Sequence, residues 1–150
     1  GALAAMEKVC PHFHLSRQSG CDATLKRMNR HYTTAQYEDC CGILRAAFGH
    51  PAITTDVIVG FPGETEEEFW QTREYLERIH FYEMHIFKYS VRAGTRAAAM
   101  DHQVPEPVKA ARSEELLKLE GQMSEEYRKR FLGKELQVLL EEPVTIDGKP

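Results

Sequence analysis

The sequence contains no run of about 18 apolar residues, so nothing in it reads as a membrane-spanning helix. Its opening residues, GALAAMEK, have neither the basic stretch nor the long apolar stretch of an export signal. Positive charge is not in excess: 19 Lys and Arg stand against 23 Asp and Glu, a formal net charge of −4. The chain as a whole therefore does not attract a phosphate backbone, and a nucleic-acid partner needs separate support. Cysteine is sparse. The four are Cys10, Cys21, Cys40 and Cys41, and no CxxC, CxxxCxxC or zinc-finger spacing can be drawn from them. No metal site built from this chain alone is expected, and without secretory features the thiols read as reduced and the setting as cytoplasmic. There is no GxGxxG fingerprint, no GxxxxGK phosphate loop, and no Ser-His-Asp or Cys-His set at a readable local spacing.

What is present is ordinary for a globular chain: 42% hydrophobic and 28% charged residues, with 10 glycines and 7 prolines in 150 positions. That length suits one domain or a piece of one, and is too short for a complete eight-fold barrel with accessory domains. Phe13, Leu15 and Arg17 alternate with His14, Ser16 and Gln18, which predicts a short strand stopping at Ser19-Gly20. Asp22 is placed to cap a short helix through Leu25 and Met28. Thr33 with Gln36 forms a capping box ahead of a helix over 34–48 that ends at Gly49. ITTDVIV, from Ile53 to Val59, reads as a buried parallel strand broken at Gly60. Thr65 with Glu68 makes a second capping box, for a helix running to about His80. EMHIFKY alternates Met84, Ile86 and Lys88 against His85, Phe87 and Tyr89, a third strand. A long helix over 107–131 follows, and a new strand is expected over 136–140.

Strand and helix alternate with short connections, which argues for βαβ units in a parallel sheet of an α/β fold. Chemistry then belongs at the carboxyl ends of the strands: Gln18-Ser19-Gly20, Gly60 to Glu64, and Tyr89 to Thr95. The Gly60-Phe61-Pro62-Gly63-Glu64 turn precedes a helix N-terminus, so it reads either as a tight turn or as backbone amides offered to a ligand. Asp56 lies inside an apolar strand and needs a polar cavity or hydrogen-bonding partners. His12 and His14 share a strand face, yet no third metal ligand stands at a suggestive spacing, so packed, hydrogen-bonded histidines are the better reading. Lys26, Arg27 and Arg30, and Arg128 to Lys134, read as solvated helix faces. Arg92 and Arg96 flank Gly94-Thr95 in a rim loop where an arginine fork suits a carboxylate or phosphate.

Three blocks are more specific: PHFHLSRQSGCDATLKRMNRHYT, TTDVIVGFPGETEEEF and FKYSVRAGTRAA. In this order they resemble the radical S-adenosylmethionine methylthiotransferases, over about residues 10 to 142. The Gln-Ser-Gly-Cys-Asp form looks most like the branch acting on N6-threonylcarbamoyladenosine beside the tRNA anticodon. A related enzyme for another modified adenosine or a ribosomal protein, and a non-catalytic cofactor-binding module, are the alternatives. The resemblance implies a partial (βα)6 TIM-like barrel, here its C-terminal half over 1–132, followed over 133–150 by the start of a TRAM β-barrel. It implies S-adenosylmethionine and two 4Fe–4S clusters in the parent protein, whose cysteine ligands this chain lacks, with tRNA and a reductase electron donor as partners. It carries over Gln18, Ser19, Gly20, Arg30, Asp56, Gly60, Pro62, Gly63, Glu64, Ser90 and Arg92 as cofactor-site residues, and no catalytic residue. Arg17 stands where the family usually has an aliphatic residue. The expectation is an inactive fragment whose open strand edges favour self-association.

Overall fold

A computed structural model describes residues 2–137. After a 3-10 turn at Ala2–Ala5 come β1 (His12–His14), α1 (Asp22–Arg27), α2 (Thr34–Phe48), β2 (Ala52–Val59), α3 (Glu66–Ile79) and β3 (Glu83–Lys88). A 3-10 turn at Ala97–Ala99 and the long α4 (Glu106–Lys129) complete the order. The strands form one parallel sheet in the order β1-β2-β3, as the βαβ reading requires. Among the described residues, no helix is long and apolar enough to cross a membrane. Residues 133–137 form no strand, and the remainder of the expected strand and TRAM segment lies outside the described residues.

Local chemistry sets the helix limits. Both capping boxes form: Thr33 accepts from the Gln36 N–H while Gln36 accepts from the Thr33 N–H, and Thr65 and Glu68 do the same. Gly49, at φ 75°, ends α2, and His80, in the left-handed helical conformation at φ 60°, ends α3. Asp22 does not cap α1 as expected. Cys21 holds the cap position, and the Asp22 carboxylate instead accepts from the Thr34 N–H at 2.7 Å, tying α1 to the start of α2.

Odd-numbered β2 residues face the helices. Ile53, Val57 and Val59 pack with Tyr37 and Cys41 of α2, with Phe69, Leu76 and Ile79 of α3, and with Leu116, Leu119 and Met123 of α4. Each fully buried side chain of this kind contributes roughly 1.5–3 kcal/mol. Cys41 is buried while Cys40 is exposed, as adjacent helical positions dictate.

β1 is shorter than the alternation predicts. Beyond His14 the Thr55 hydroxyl replaces main-chain partners: it accepts from the Arg17 N–H at 2.9 Å and donates to the Leu15 carbonyl at 2.6 Å. One extra residue is thereby accommodated, and pairing resumes at Gln18 opposite Val57 with Gln18 at φ 73°. Arg17 is fully buried. Its guanidinium lies 4.8, 4.9 and 5.5 Å from the ring centres of Tyr75, Tyr37 and Tyr32, so three aromatic faces take the place of an aliphatic contact. Burial pulls the Arg17 pKa down, against the pull of those tyrosines and Asp22.

Candidate functional site

The even face of the sheet and the strand ends form the site. A cleft of about 570 Å³ is walled by Gln18 after β1, Asp56 and Ile58 of β2, Phe87 and Lys88 of β3, and Tyr89, Ser90, Arg92, Thr95 and Ala97 of the following loop. Gln18 is locked in place by its backbone, which donates to the Asp56 carbonyl at 2.8 Å and accepts from the Ile58 N–H at 2.9 Å. Asp56 is the carboxylate of the wall. Its Oδ2 accepts from the Ser16 hydroxyl at 2.7 Å and lies 3.2 Å from His14 Nε2. Burial raises the Asp56 pKa, but the Ser16 and His14 hydrogen bonds, with the charges of His14 and His85, outweigh it and leave the group below its ordinary value. Asp56 thus stays ionised at neutral pH.

One anionic group, one guanidinium on the exposed Arg92, the polar Gln18 and Ser90, and the rings of Phe87 and Tyr89 share this cleft. The set is complementary to a small molecule that carries both signs of charge and a flat body. S-adenosylmethionine, with its sulfonium, ammonium, carboxylate and adenine, has that chemistry. A cluster held by thiolates does not fit these residues: Cys10 and Cys40 are exposed and Cys21 and Cys41 buried, and no three cysteines converge among the described residues.

Of the residues carried over by resemblance, Gln18, Asp56, Ser90 and Arg92 meet in the cleft. The others lie elsewhere, each for a physical reason. Ser19 is buried with its hydroxyl 3.1 Å from that of Thr72, and Gly20 lies so close to α3 that a Cβ would stand 2.9 Å from the Thr72 backbone. Both seat β1 on α3. Arg30 is exposed, its N–H closing the end of α1 on the Leu25 carbonyl at 2.9 Å. The Gly60 to Glu64 turn spends its amides on itself and on its neighbours. The Gly60 N–H donates to Glu64 Oε2 at 2.7 Å, the Gly63 N–H to the His102 carbonyl at 2.9 Å, and the Glu64 N–H to the Phe61 carbonyl at 2.9 Å. Pro62 is buried beside them, and the Glu64 carboxylate meets Arg112 Nη1 at 2.6 Å. The turn therefore braces the wall from behind, where Phe61 packs edge-on to Tyr89 with ring centres 5.3 Å apart.

Sequence reasoning missed Ile58, Phe87, Lys88 and Ala97 as wall residues, and the partners Ser16 and His85. The alternation of EMHIFKY had already set His85, Phe87 and Tyr89 on one side, and the β2–β3 register places Asp56 opposite His85. His14 also lies 3.0 Å, through Nδ1, from the Thr54 hydroxyl.

Comparison with known proteins gives the family. The sequence profile described as the radical SAM superfamily matches residues 2–76, a stretch that carries both Gln18 and Asp56. A protein named tRNA-2-methylthio-N(6)-dimethylallyladenosine synthase from Acetivibrio thermocellus is 46% identical over 140 residues, covering 93% of this chain and 29% of its own length. Relatives of the same name from Pelotomaculum thermopropionicum and Thermobifida fusca are 43% and 44% identical, covering 93% and 94% of this chain and 31% and 28% of theirs. The chain thus spans less than a third of the length of these curated relatives. Their names refer to a dimethylallyl substrate and not to the threonylcarbamoyl substrate that the Gln-Ser-Gly-Cys-Asp form implied. The parallel three-stranded sheet and the profile match agree, and the chain belongs to the radical SAM superfamily.

Proposed function

We propose that this chain forms the S-adenosylmethionine-facing part of a cytoplasmic methylthiotransferase that adds a methylthio group to an N6-substituted adenosine of tRNA. The observation that carries the reading is the convergence of Gln18, Asp56, Ser90 and Arg92 in one cleft at the strand ends. The names of the relatives favour the N6-dimethylallyl form of the base over the N6-threonylcarbamoyl form. When bound beside a 4Fe–4S cluster, S-adenosylmethionine supplies a 5′-deoxyadenosyl radical. The residues of this chain bind and orient. Asp56, held ionised by Ser16 and His14, faces the cationic or hydroxyl-bearing part of the cofactor, Arg92 its carboxylate, and Phe87 and Tyr89 exclude water. Cluster ligands, a second cluster and the electron donor belong to the parent protein and its reductase.

The test has two arms. Equilibrium dialysis of labelled S-adenosylmethionine against this chain should show binding that Asp56→Asn and Arg92→Ala each weaken at least about tenfold, the equivalent of about 1.4 kcal/mol. Binding that neither substitution alters would refute the assignment of the cleft. Mass spectrometry of tRNA nucleosides from a strain lacking the parent gene should show loss of the methylthio group on dimethylallyladenosine. Loss confined to threonylcarbamoyladenosine would transfer the protein to the other branch.

A further inference from the structure

Below the cleft, one side chain from each strand converges on the exposed sheet face: His14 of β1, Asp56 of β2 and His85 of β3. One ligating atom from each lies within 4.8 Å of the others. His14 Nδ1 is 3.0 Å from Thr54 Oγ1, and Nε2 is 3.2 Å from both Asp56 Oδ2 and the Ser16 hydroxyl. With its proton on Nε2, His14 donates to Asp56 and accepts from Thr54; with its proton on Nδ1, it donates to Thr54 and turns the Nε2 lone pair toward Asp56. In the second tautomer, with the His85 imidazole beside it, the cluster offers an ion two nitrogens and a carboxylate oxygen.

We infer that His14, Asp56 and His85 form a binding site for a divalent first-row transition-metal ion, such as zinc or iron(II). Two imidazoles and one carboxylate match the borderline preference of these ions; magnesium and calcium prefer oxygen alone, and an iron–sulfur cluster prefers thiolate. The groups that orient the ligands are in place: Thr54, itself buried, holds His14 through the nitrogen away from the ion, and the Ser16 hydroxyl holds Asp56 at 2.7 Å. The carboxylate and the second imidazole are opposite each other in the β2–β3 register, with His14 one step along on β1. An ion here ties three strands across their exposed face. It leaves coordination positions on the open side, the pattern of a site that also admits water or a substrate atom.

The experiment is a cobalt(II) titration of the full 150-residue chain, reduced and free of other metals. We expect one equivalent bound, with visible ligand-field bands and no sulfur-to-metal charge-transfer band, and a higher unfolding midpoint in the presence of zinc or cobalt. His85→Gln and His14→Gln should each abolish the bands, and Thr54→Val should weaken binding about 10- to 100-fold. Cys10→Ser with Cys40→Ser should change nothing. His85 is exposed, so His85→Gln tests the site without testing the core. Absence of stoichiometric binding would overturn the proposal, as would bands indifferent to His85→Gln or bands lost with the cysteines. The readout contains no S-adenosylmethionine, so its failure is distinct from failure of the proposed function.

Discussion

The Glu64–Arg112 pair turns a residue of the Gly60 to Glu64 block away from the cleft, and its energetics can be worked through. The Glu64 side chain is 1% exposed and that of Arg112 9%. Glu64 Oε2 accepts from Arg112 Nη1 at 2.6 Å and from the Gly60 N–H at 2.7 Å, and the guanidinium lies 5.4 Å from the centre of the Phe69 ring. Glu64→Leu removes the carboxylate and leaves a buried guanidinium without a counter-ion. Breaking a buried pair from one side costs about 3–5 kcal/mol. At about 2–4 °C per kcal/mol for a chain of this size, the unfolding midpoint should fall by on the order of 10 °C.

Arg112→Met leaves the opposite charge behind, and Glu64 has a way out that Arg112 lacks. Burial already pushes the Glu64 pKa up, against the Gly60 hydrogen bond and the Arg112 charge, and removing Arg112 frees that push. A folded-state pKa above the unfolded value means that the folded state binds the extra proton. Stability is then full below the ordinary glutamate range and is lost as pH rises through the folded value. Arg112→Met should therefore be nearly tolerated in mild acid and costly at neutral pH, whereas the cost of Glu64→Leu stays flat. The double variant replaces the pair with apolar groups and leaves the Gly60 N–H and the Glu64 carbonyl, which accepts from Arg112 Nη1 at 3.2 Å, without these partners, at about 1–3 kcal/mol for each buried group. Urea unfolding of all four proteins at two pH values measures this. A double variant that equals the sum of the singles to within about 0.5 kcal/mol would refute the brace. So would single substitutions that leave the midpoint unchanged while abolishing S-adenosylmethionine binding, which would return Glu64 to the cofactor.

Three further outcomes follow from named contacts. Burial raises the Cys41 thiol pKa to about 11, and Cys21 is buried too, so a thiol reagent at pH 8 should label Cys10 and Cys40 quickly and the other two only on unfolding; rapid labelling of all four would contradict the packing of α2. Gly20→Ala puts a Cβ 2.9 Å from the Thr72 backbone and from Tyr75 Cβ, and should lower stability by about 1–3 kcal/mol in urea unfolding, with an unchanged midpoint counting against the close approach of β1 to α3. Asp56 is held below its ordinary value, so its contribution is present above the unfolded pKa and fades as pH falls through the folded one. The stability gap between wild type and Asp56→Asn should close in acid, and a gap that widens there would reverse the assignment.

What was legible in the sequence was local. The two capping boxes, the glycine after α2, the β-branched run of β2 and the period of α4 are all written within one or two turns of chain, and all form. The break in β1 was not legible, because it depends on Thr55 of another strand supplying its hydroxyl to Arg17 and Leu15. Nor was the cage around Arg17, which gathers tyrosines from the α1–α2 loop, α2 and α3. The faces of β2 and β3 could be read from alternation, but the pairing of Asp56 with His85 needs the register, and a period of two cannot supply it.

The motif residues show the same division in the site. Gln18 and Glu64 both sit in family blocks at strand ends, and sequence gives no ground for treating them differently. Folding separates them: Gln18 enters the cleft because its left-handed backbone turns the chain over the end of β2, whereas Glu64 folds back onto Gly60 and Arg112 behind Phe61 and Tyr89. A strand-end motif in this fold thus contains both the residues that face the ligand and the residues that hold the wall still. Burial together with hydrogen bonding distinguishes them: the Glu64 carboxylate is sealed against Arg112 and Gly60 with its side chain 1% exposed, whereas Asp56, though held by Ser16 and His14, keeps 27% of its side chain open toward the cleft.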